Sequence, residues 1–124
     1  MESISVFDML KIGVGPSSSH TLGPWRAAGR FLTALSKSGS LESVVQVRVL
    51  VYGSLSLTGK GHATDVAIMM GLTGADPETV PIEKVPETIV AIKQELAITL
   101  DGIYRIPFNP QNDLVFLRKF LPFH

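Results

Sequence analysis

The sequence contains no cysteine, so it has neither a disulfide nor a thiolate ligand for a metal. It has no apolar run of membrane-spanning length, and its first residues lack the basic start of a signal peptide. Lysine plus arginine and aspartate plus glutamate number 11 each, so the formal net charge is zero. A neutral chain has no electrostatic attraction to nucleic acid or to an anionic membrane. These absences predict a cytoplasmic protein that has no nucleic-acid or membrane partner.

Three common nucleotide and metal motifs are also missing: a phosphate loop with Lys-Ser/Thr, a dinucleotide-binding glycine pattern and His-Glu-x-x-His. What is present is the composition of one well-buried domain covering residues 1–124, with 45% hydrophobic and 18% charged residues. The mean hydropathy of +0.29 is high for a small free-standing domain and indicates a face covered by another domain or subunit. The apolar stretch at 119–124 carries no stop signal, so we expect the chain to be a fragment of a longer protein.

The densest chemistry lies at residues 13–24, where glycine, proline, serine and histidine precede an amphipathic pattern. The glycines permit positive φ and close approach of a ligand, and the first amides of a helix lack partners within it. An anionic or zwitterionic group placed there would meet free N–H groups and the positive end of a helix dipole. The alternative is an ordinary loop with serine caps. The candidate side chains are Ser17, Ser18, Ser19, His20 and Thr21.

A helical period follows from Thr21, with Leu22, Ala28, Gly29, Leu32 and Leu35 on one face, and serine and glycine at 36–39 predict its end. Trp25 has the spacing of a core residue. Arg26 either reaches back toward the serine loop or, as is more common for an arginine, lies in solvent.

Residues 44–52 form the clearest predicted strand, with Val45, Val47, Val49 and Val51 alternating against other side chains. A glycine-rich stretch then leads into a second predicted helix, 62–70, ended by Gly71 or Gly74. His62 stands at the mouth of that helix. It also shares a face with apolar side chains, so a buried structural histidine is the alternative. Lys60, which precedes it, is more often solvated than a ligand.

The second half of the sequence offers weaker signals. A short helical turn after Asp76 and a longer helix from Pro86 to Leu96 are predicted from their N-terminal prolines. Residues 103–108 and 114–117 are expected to be strands joined by a hairpin-like turn at 109–112, and 3–12 a short strand or helical turn. The order of elements predicts an α+β domain, a small mixed sheet with helices mainly on one face. The hairpin argues against a doubly wound parallel fold.

Three motifs carry a resemblance to a known family. Gly-Pro-Ser-Ser-Ser-His-Thr at 15–21, after Phe-Asp at 7–8, resembles the signature of the beta domain of bacterial iron–sulfur L-serine dehydratases. Gly-Ser-Leu at 53–55 followed by Thr-Gly-Lys-Gly-His-Ala-Thr-Asp at 58–65 resembles the second motif of that domain, and Leu-Pro-Phe-His at 121–124 resembles the start of its third. The resemblance covers essentially the whole chain. The family domain is also similar to the intervening regulatory domain of some phosphoglycerate dehydrogenases.

The resemblance implies a part of an enzyme that converts L-serine to pyruvate and ammonia with a [4Fe–4S] cluster. In the family three cysteines of a separate alpha domain hold the cluster, so this chain alone is expected to bind no iron and to be inactive. The resemblance further implies a homodimer. It makes His62 and His20 the catalytic candidates, without deciding which is the base. The implied substrate-binding residues are Ser17, Ser18, Ser19, Thr21, Lys60, Thr64 and His124.

Two other functions stay open from the sequence. One is a non-catalytic, serine-binding regulatory or dimerisation module, which a buried and satisfied His62 would favour over a histidine in an exposed cleft. The other is a phosphate- or sulfate-binding protein that uses the serine loop, although a neutral chain offers little positive field for it.

Overall fold

The computed structural model describes residues 6–14, 22–53 and 62–117. The strands are β1 (Val6–Val14), β2 (Val44–Gly53), β3 (Ala97–Leu100), β4 (Tyr104–Pro107) and β5 (Leu114–Leu117). The helices are α1 (Leu22–Lys37), α2 (His62–Leu72), α3 (Lys84–Glu95) and α4 (Pro110–Asp113), with a short 3₁₀ turn at Leu41–Ser43. The mixture of helices with parallel and antiparallel strands confirms the predicted α+β class.

The larger sheet has three strands in the order β1-β2-β5, and both of its pairings are parallel. Helix α1 connects β1 to β2, which is the crossover that neighbouring parallel strands require. The two remaining strands, β3 and β4, form a separate antiparallel pair. The domain therefore combines a parallel part with an antiparallel hairpin.

One face of β2 faces the core. Val47, Val49 and Val51 are fully buried in a cluster with Leu32 of α1 and Ile68 of α2, so the alternation predicted for this strand is confirmed for these three valines.

At Val45 the alternation fails, because Val45 is 48% exposed while Val44 is buried. The reason is a register shift: Val6 pairs with Val44 but Phe7 pairs with Gln46, which leaves Val45 unpaired. One extra residue in a strand turns the side chains before it to the opposite face. The prediction that Val45 shares the core face was therefore wrong.

Helices α1 and α2 both end on a glycine in the left-handed region, as the sequence predicts. Gly39 has φ +78° and Gly74 has φ +87°. After α1, the amide of Ser40 donates to the carbonyl of Leu35, and the equivalent bond after α2 runs from Ala75 to Met70. This pattern closes the last carbonyls of a helix and needs a residue without a Cβ penalty at the turn.

The two helices make close contact at Gly71 of α2. A Cβ placed on Gly71 would lie 2.5 Å from the carbonyl oxygen of Trp25 and 2.8 Å from Cβ of Ala28. No real Cβ is tolerated at such distances, so glycine is required for this crossing. The Trp25 side chain adds a second link, because its Nε1 donates to the carbonyl oxygen of Ala75 over 2.8 Å. Trp25 packs against the core, as predicted.

The second half differs from the expectation. The predicted hairpin between residues 103–108 and 114–117 was wrong, because β4 pairs with β3, and β5 pairs with β2. The true hairpin turn is formed by Asp101 and Gly102, both at positive φ, together with Ile103.

The residues expected to form the turn instead build α4. The Asn109 side chain accepts a hydrogen bond from the amide of Gln111 as an N-cap, with Pro110 in the first turn. The carboxylate of Asp113, the last residue of α4, accepts from the amide of Asn109 over 2.9 Å. A sequence of asparagine and proline thus starts a short helix here.

Helix α3 starts two residues before Pro86 and ends at Glu95. Leu96 follows in the left-handed conformation, with φ 52°. Strand β3, which the sequence analysis missed, begins at the next residue. Over the described ranges, no helix has the length and apolar character needed to cross a membrane.

Candidate active site

The three parallel strands end side by side. Strand β1 ends at Val14, β2 at Gly53 and β5 at Leu117. Val14 is paired with Gly53, and Tyr52 is paired with Leu117. Neighbouring strands lie about 4.8 Å apart, so these three carboxyl ends fall within about 10 Å along one edge of the sheet.

Each sequence motif follows one of these strand ends. Residues 15–21 follow β1, residues 54–61 follow β2, and residues 118–124 follow β5. In open sheets with parallel strands, ligands usually bind at the edge formed by the carboxyl ends of the strands. Three motif segments that are far apart in the sequence therefore begin at one common edge of the sheet. We call it the motif edge, defined by Val14, Gly53 and Leu117.

Most predicted site residues belong to these segments themselves and lie outside the described residues: Ser17, Ser18, Ser19, His20, Thr21, Lys60 and His124. Their roles stay predictions. The described strand ends locate the points at which the chain enters their segments.

Two predicted site residues lie within the described ranges, at the start of α2. His62 is the first residue of the helix, which confirms the predicted helix start. Thr64 lies two residues further on and is buried, with 7% of its surface exposed. Helix α2 is anchored in the core, because Ala67, Ile68, Met69 and Met70 are all buried. Its first turn, which carries Thr64, is therefore attached to a well-packed helix.

Asp65, the last residue of the second motif, is a further candidate that was not predicted from the sequence. It lies in the first turn of α2, where a carboxylate is stabilised by the helix dipole, and it is partly buried. The sequence signal that could have identified Asp65 is that it is the only acidic residue in the first turn of the predicted helix at 62–70. Asp65 helps to line a cleft of about 460 Å³ together with Lys93, Leu96, Asn109, Pro110 and Gln111.

Arg26 pairs with Glu78, in the turn that follows α2: its Nη2 lies 3.1 Å from the Glu78 carboxylate, and both side chains are exposed. The serine loop, the other predicted partner of Arg26, lies outside the described residues. This pair, the Trp25–Ala75 hydrogen bond and the close contact at Gly71 all join α1 to the end of α2 and the turn after it. Together they fix the position of α1 relative to α2.

The residues of this chain do not fit the ligand requirements of an iron–sulfur cluster. Cluster irons are bound mainly by cysteine thiolates, and the sequence has none. Among the described residues, no group of three or more histidine, aspartate or glutamate side chains is arranged to hold a metal ion. Protein ligands for such a cluster would have to come from outside this chain.

The fold and the motif edge define an α+β domain in which three sequence-distant motifs follow neighbouring parallel strands. Comparison with known proteins gives the family. A family model described as the serine dehydratase beta chain matches residues 5–124. The chain belongs to this family.

Individual relatives agree with the family model. The chain is 48% identical over 122 residues to L-serine dehydratase 1 of Escherichia coli (strain K12), covering 98% of this chain and 27% of that protein. It is 46% identical over 122 residues to an L-serine dehydratase of Haemophilus influenzae and 47% identical over 123 residues to one of Streptomyces coelicolor, with the same 98% and 27% coverage. The chain thus spans about a quarter of the length of these relatives.

Proposed function

We propose that this chain is the beta-domain part of an L-serine dehydratase, an ammonia-lyase that forms pyruvate and ammonia from L-serine. Membership of the serine dehydratase beta chain family supports the proposal. The structural observation that carries it is the motif edge, from which all three family-like segments begin. Since relatives are about four times longer (the chain covers 27% of them), the other part of the site belongs to an alpha domain outside this chain.

The reaction sets the groups that the site needs. A base removes the α-proton of L-serine and the β-hydroxyl leaves with a proton as water, which gives 2-aminoacrylate. The enamine takes a proton at its β-carbon to become the imine, and water then hydrolyses the imine to pyruvate and ammonia. The site must therefore hold a carboxylate and an ammonium group and must move protons.

We assign the proton transfer to a histidine of this chain. His62 is the candidate base, because it starts α2 directly after the motif segment that follows β2, and His20 is the second candidate, for proton transfer or substrate binding. Hydroxyls and amides of Ser17, Ser18, Ser19 and Thr21 would bind the serine carboxylate, which a helix N-terminus favours electrostatically. The remaining proposed substrate contacts are Lys60, Thr64 and His124.

The [4Fe–4S] cluster implied by the family resemblance would have its cysteine ligands in the alpha domain. This chain supplies no thiolate of its own. We also propose that the full-length protein is a cytoplasmic homodimer, and that this domain shares its fold with the intervening regulatory domain of phosphoglycerate dehydrogenases.

A mixing assay tests the proposal directly. The chain is combined under anaerobic conditions with a cluster-loaded alpha domain, and pyruvate formation from L-serine is followed. We expect neither part alone to be active and the mixture to form pyruvate. If the two parts associate and remain inactive, the regulatory-module alternative replaces the proposal. Fusing the two parts in one chain controls for a failure to associate.

The assignment of His62 is tested in the full-length enzyme. His62→Ala is expected to lower kcat by about 10²- to 10⁴-fold, the usual contribution of a general base. Cluster absorbance should remain unchanged, because the cluster ligands lie elsewhere. Arg105→Ala, which removes an exposed side chain of β4, serves as the matched surface variant and should keep normal turnover. Near-normal turnover of His62→Ala would remove His62 from the catalytic residues.

A further inference from the structure

Asp65 has a single polar neighbour along its own helix. On an α-helix, the side chain at position i meets those three and four residues away in either direction. For Asp65 these positions hold Gly61, His62, Ile68 and Met69. Gly61 has no side chain, and Ile68 and Met69 are fully buried apolar residues. Position 62 is therefore the one helical neighbour that can form a hydrogen bond with the Asp65 carboxylate.

The direction of α2 favours this pair. His62 is the first residue of the helix, and Asp65 is the acidic residue of its first turn. Helical side chains lean toward the N-terminus, so Asp65 leans toward the turn that contains position 62. Cβ atoms three residues apart lie about 5–6 Å from each other, a gap that a carboxylate and an imidazole span with one hydrogen bond. The backbone of α2 thus places a carboxylate within reach of position 62.

The surroundings of Asp65 favour its charged form. It is half-buried and lines the cleft of about 460 Å³ between α2, α3 and α4. Of the described residues that line this cleft, Lys93 of α3 is the only other charged one, and the start of α4 contributes the neutral amides of Asn109 and Gln111. The dipole of α2 and the lysine of the same cleft both stabilise a negative charge. Asp65 is therefore suited to act as a charged hydrogen-bond acceptor.

We propose that Asp65 is a positioning residue for His62, whose imidazole donates one ring N–H to the Asp65 carboxylate and presents its other nitrogen to the substrate. The proposal rests on the assignment of His62 as the base in the proposed function. A carboxylate in this place fixes the ring orientation and tautomer, and it stabilises the imidazolium that forms when the α-proton is taken up. It also raises the pKa of the imidazole. A carboxylate that serves only the helix dipole does neither.

Histidine titration by NMR in the 124-residue chain tests the pair without measuring turnover. The chain has three histidines, so His20→Gln, His62→Gln and His124→Gln assign the imidazole signals. Asp65→Asn should lower the pKa of His62 by about one unit, a tenfold change in its proton dissociation constant, because the nearby negative charge is lost. Glu87→Gln, which removes the acidic residue in the first turn of α3, is the matched control and should leave all three titrations unchanged. Circular dichroism confirms that each variant is folded.

The pH profile of the full-length enzyme tests the positioning role. The base acts in its neutral form, so kcat/KM rises with pH through the pKa of the base. Loss of the carboxylate lowers this pKa, so the rising limb of Asp65→Asn should lie about one pH unit below that of the wild type, with a lower plateau. Asp65→Glu keeps the charge and should return the limb most of the way. A loss of activity with an unmoved limb is the result of a merely structural carboxylate, and it overturns the proposal.

The two measurements separate this inference from the proposed function. An unchanged His62 titration in Asp65→Asn, or an equal shift of all three histidines, overturns the pairing whatever the enzyme does. If His62→Ala keeps normal turnover, the base assignment fails and the positioning role fails with it. The titration in the isolated chain then still shows whether the two side chains are paired, so the two failures are distinguishable.

Discussion

The two halves of the domain are built on different principles. In residues 6–72, parallel strands alternate with helices, and the helices are joined to each other by close contact at Gly71. In residues 84–117, short elements are joined by caps and turns, such as the Asn109 cap of α4 and the turn at Asp101 and Gly102. Two of the three family-like motifs belong to the first half and one follows the end of the second.

This difference indicates a division of labour. Parallel strands bring the starting points of distant segments to one edge, and the first half does this for two motifs. The second half delivers only β5 to that edge. Packing should therefore dominate stability in the first half, and hydrogen bonding and backbone conformation in the second.

The largest expected effect is on the helix crossing. Gly71→Ala should lower the free energy of unfolding by about 2–3 kcal/mol, because the new Cβ overlaps backbone atoms that cannot move cheaply. Gly29→Ala in α1 is the matched control, since a Cβ there meets nothing within 4 Å. It should raise stability by up to ~1 kcal/mol through helix propensity. Urea unfolding of both variants measures the contrast, and equal effects would remove the crossing as a constraint.

The second half should respond to loss of a buried carboxylate. Asp113 is buried, accepts from the amide of Asn109, and its Oδ1 lies 3.9 Å from Nε of Arg48 on β2. Asp113→Ala should cost about 2 kcal/mol, because it leaves the amide without its acceptor. Asp113→Asn keeps a side-chain oxygen in place and should recover part of the loss. If chemical denaturation finds Asp113→Ala within ~0.5 kcal/mol of wild type, α4 is not held by this group.

A pair of glycines separates backbone strain from steric contact. Gly74 and Gly102 both have positive φ, at +87° and +69°. A Cβ on Gly74 would lie 2.7 Å from Oδ1 of Asp101, whereas one on Gly102 would meet only the Thr73 carbonyl at 3.8 Å. Gly102→Ala should therefore cost ~1 kcal/mol from conformation alone, and Gly74→Ala somewhat more. Thermal unfolding that ranks them in the opposite order would contradict this account.

The smallest effects should come from exposed ion pairs in either half. Arg26 pairs with Glu78, and Arg105 pairs with Glu95, at 3.1 and 3.0 Å. Alanine at either arginine should change stability by no more than ~1 kcal/mol, and added salt should reduce the difference further. A loss above 2 kcal/mol in urea unfolding would show that one of these pairs carries the packing of its half.

Sequence patterns predicted the first half well for a physical reason. Helix α1 has a clear apolar period, and both α1 and α2 end on glycines, so the face of α1 and the ends of both helices are determined by local sequence. Val45 is one exception, because the register shift that exposes it depends on the partner strand β1. The register between two paired strands cannot be predicted from the sequence of one strand alone. Leu22 is another exception: it was predicted on the apolar face of α1 but is 43% exposed.

The second half was harder because its signals are ambiguous. Helix α3 ends at Glu95, and the next residue in the left-handed conformation is Leu96 rather than a glycine. Because no glycine marks this helix end in the sequence, β3 was not predicted. Asp101-Gly102 was the stronger hairpin signal. Asn109-Pro110 proved to be a helix start instead. For the site, the motif residues were evident from composition, but their common edge follows only from the parallel order of β1, β2 and β5.

The turn at Gly39 joins the end of α1 to the segment before β2, so it lies at the opposite end of the sheet from the motif edge. Strand β2 has 10 residues, and its length places about 30 Å between these two ends. A fluorescent reporter or an affinity tag inserted after Gly39 would therefore lie at the end of β2 that is remote from the motif edge. This turn offers an attachment point for immobilising or labelling the domain without altering the motif edge.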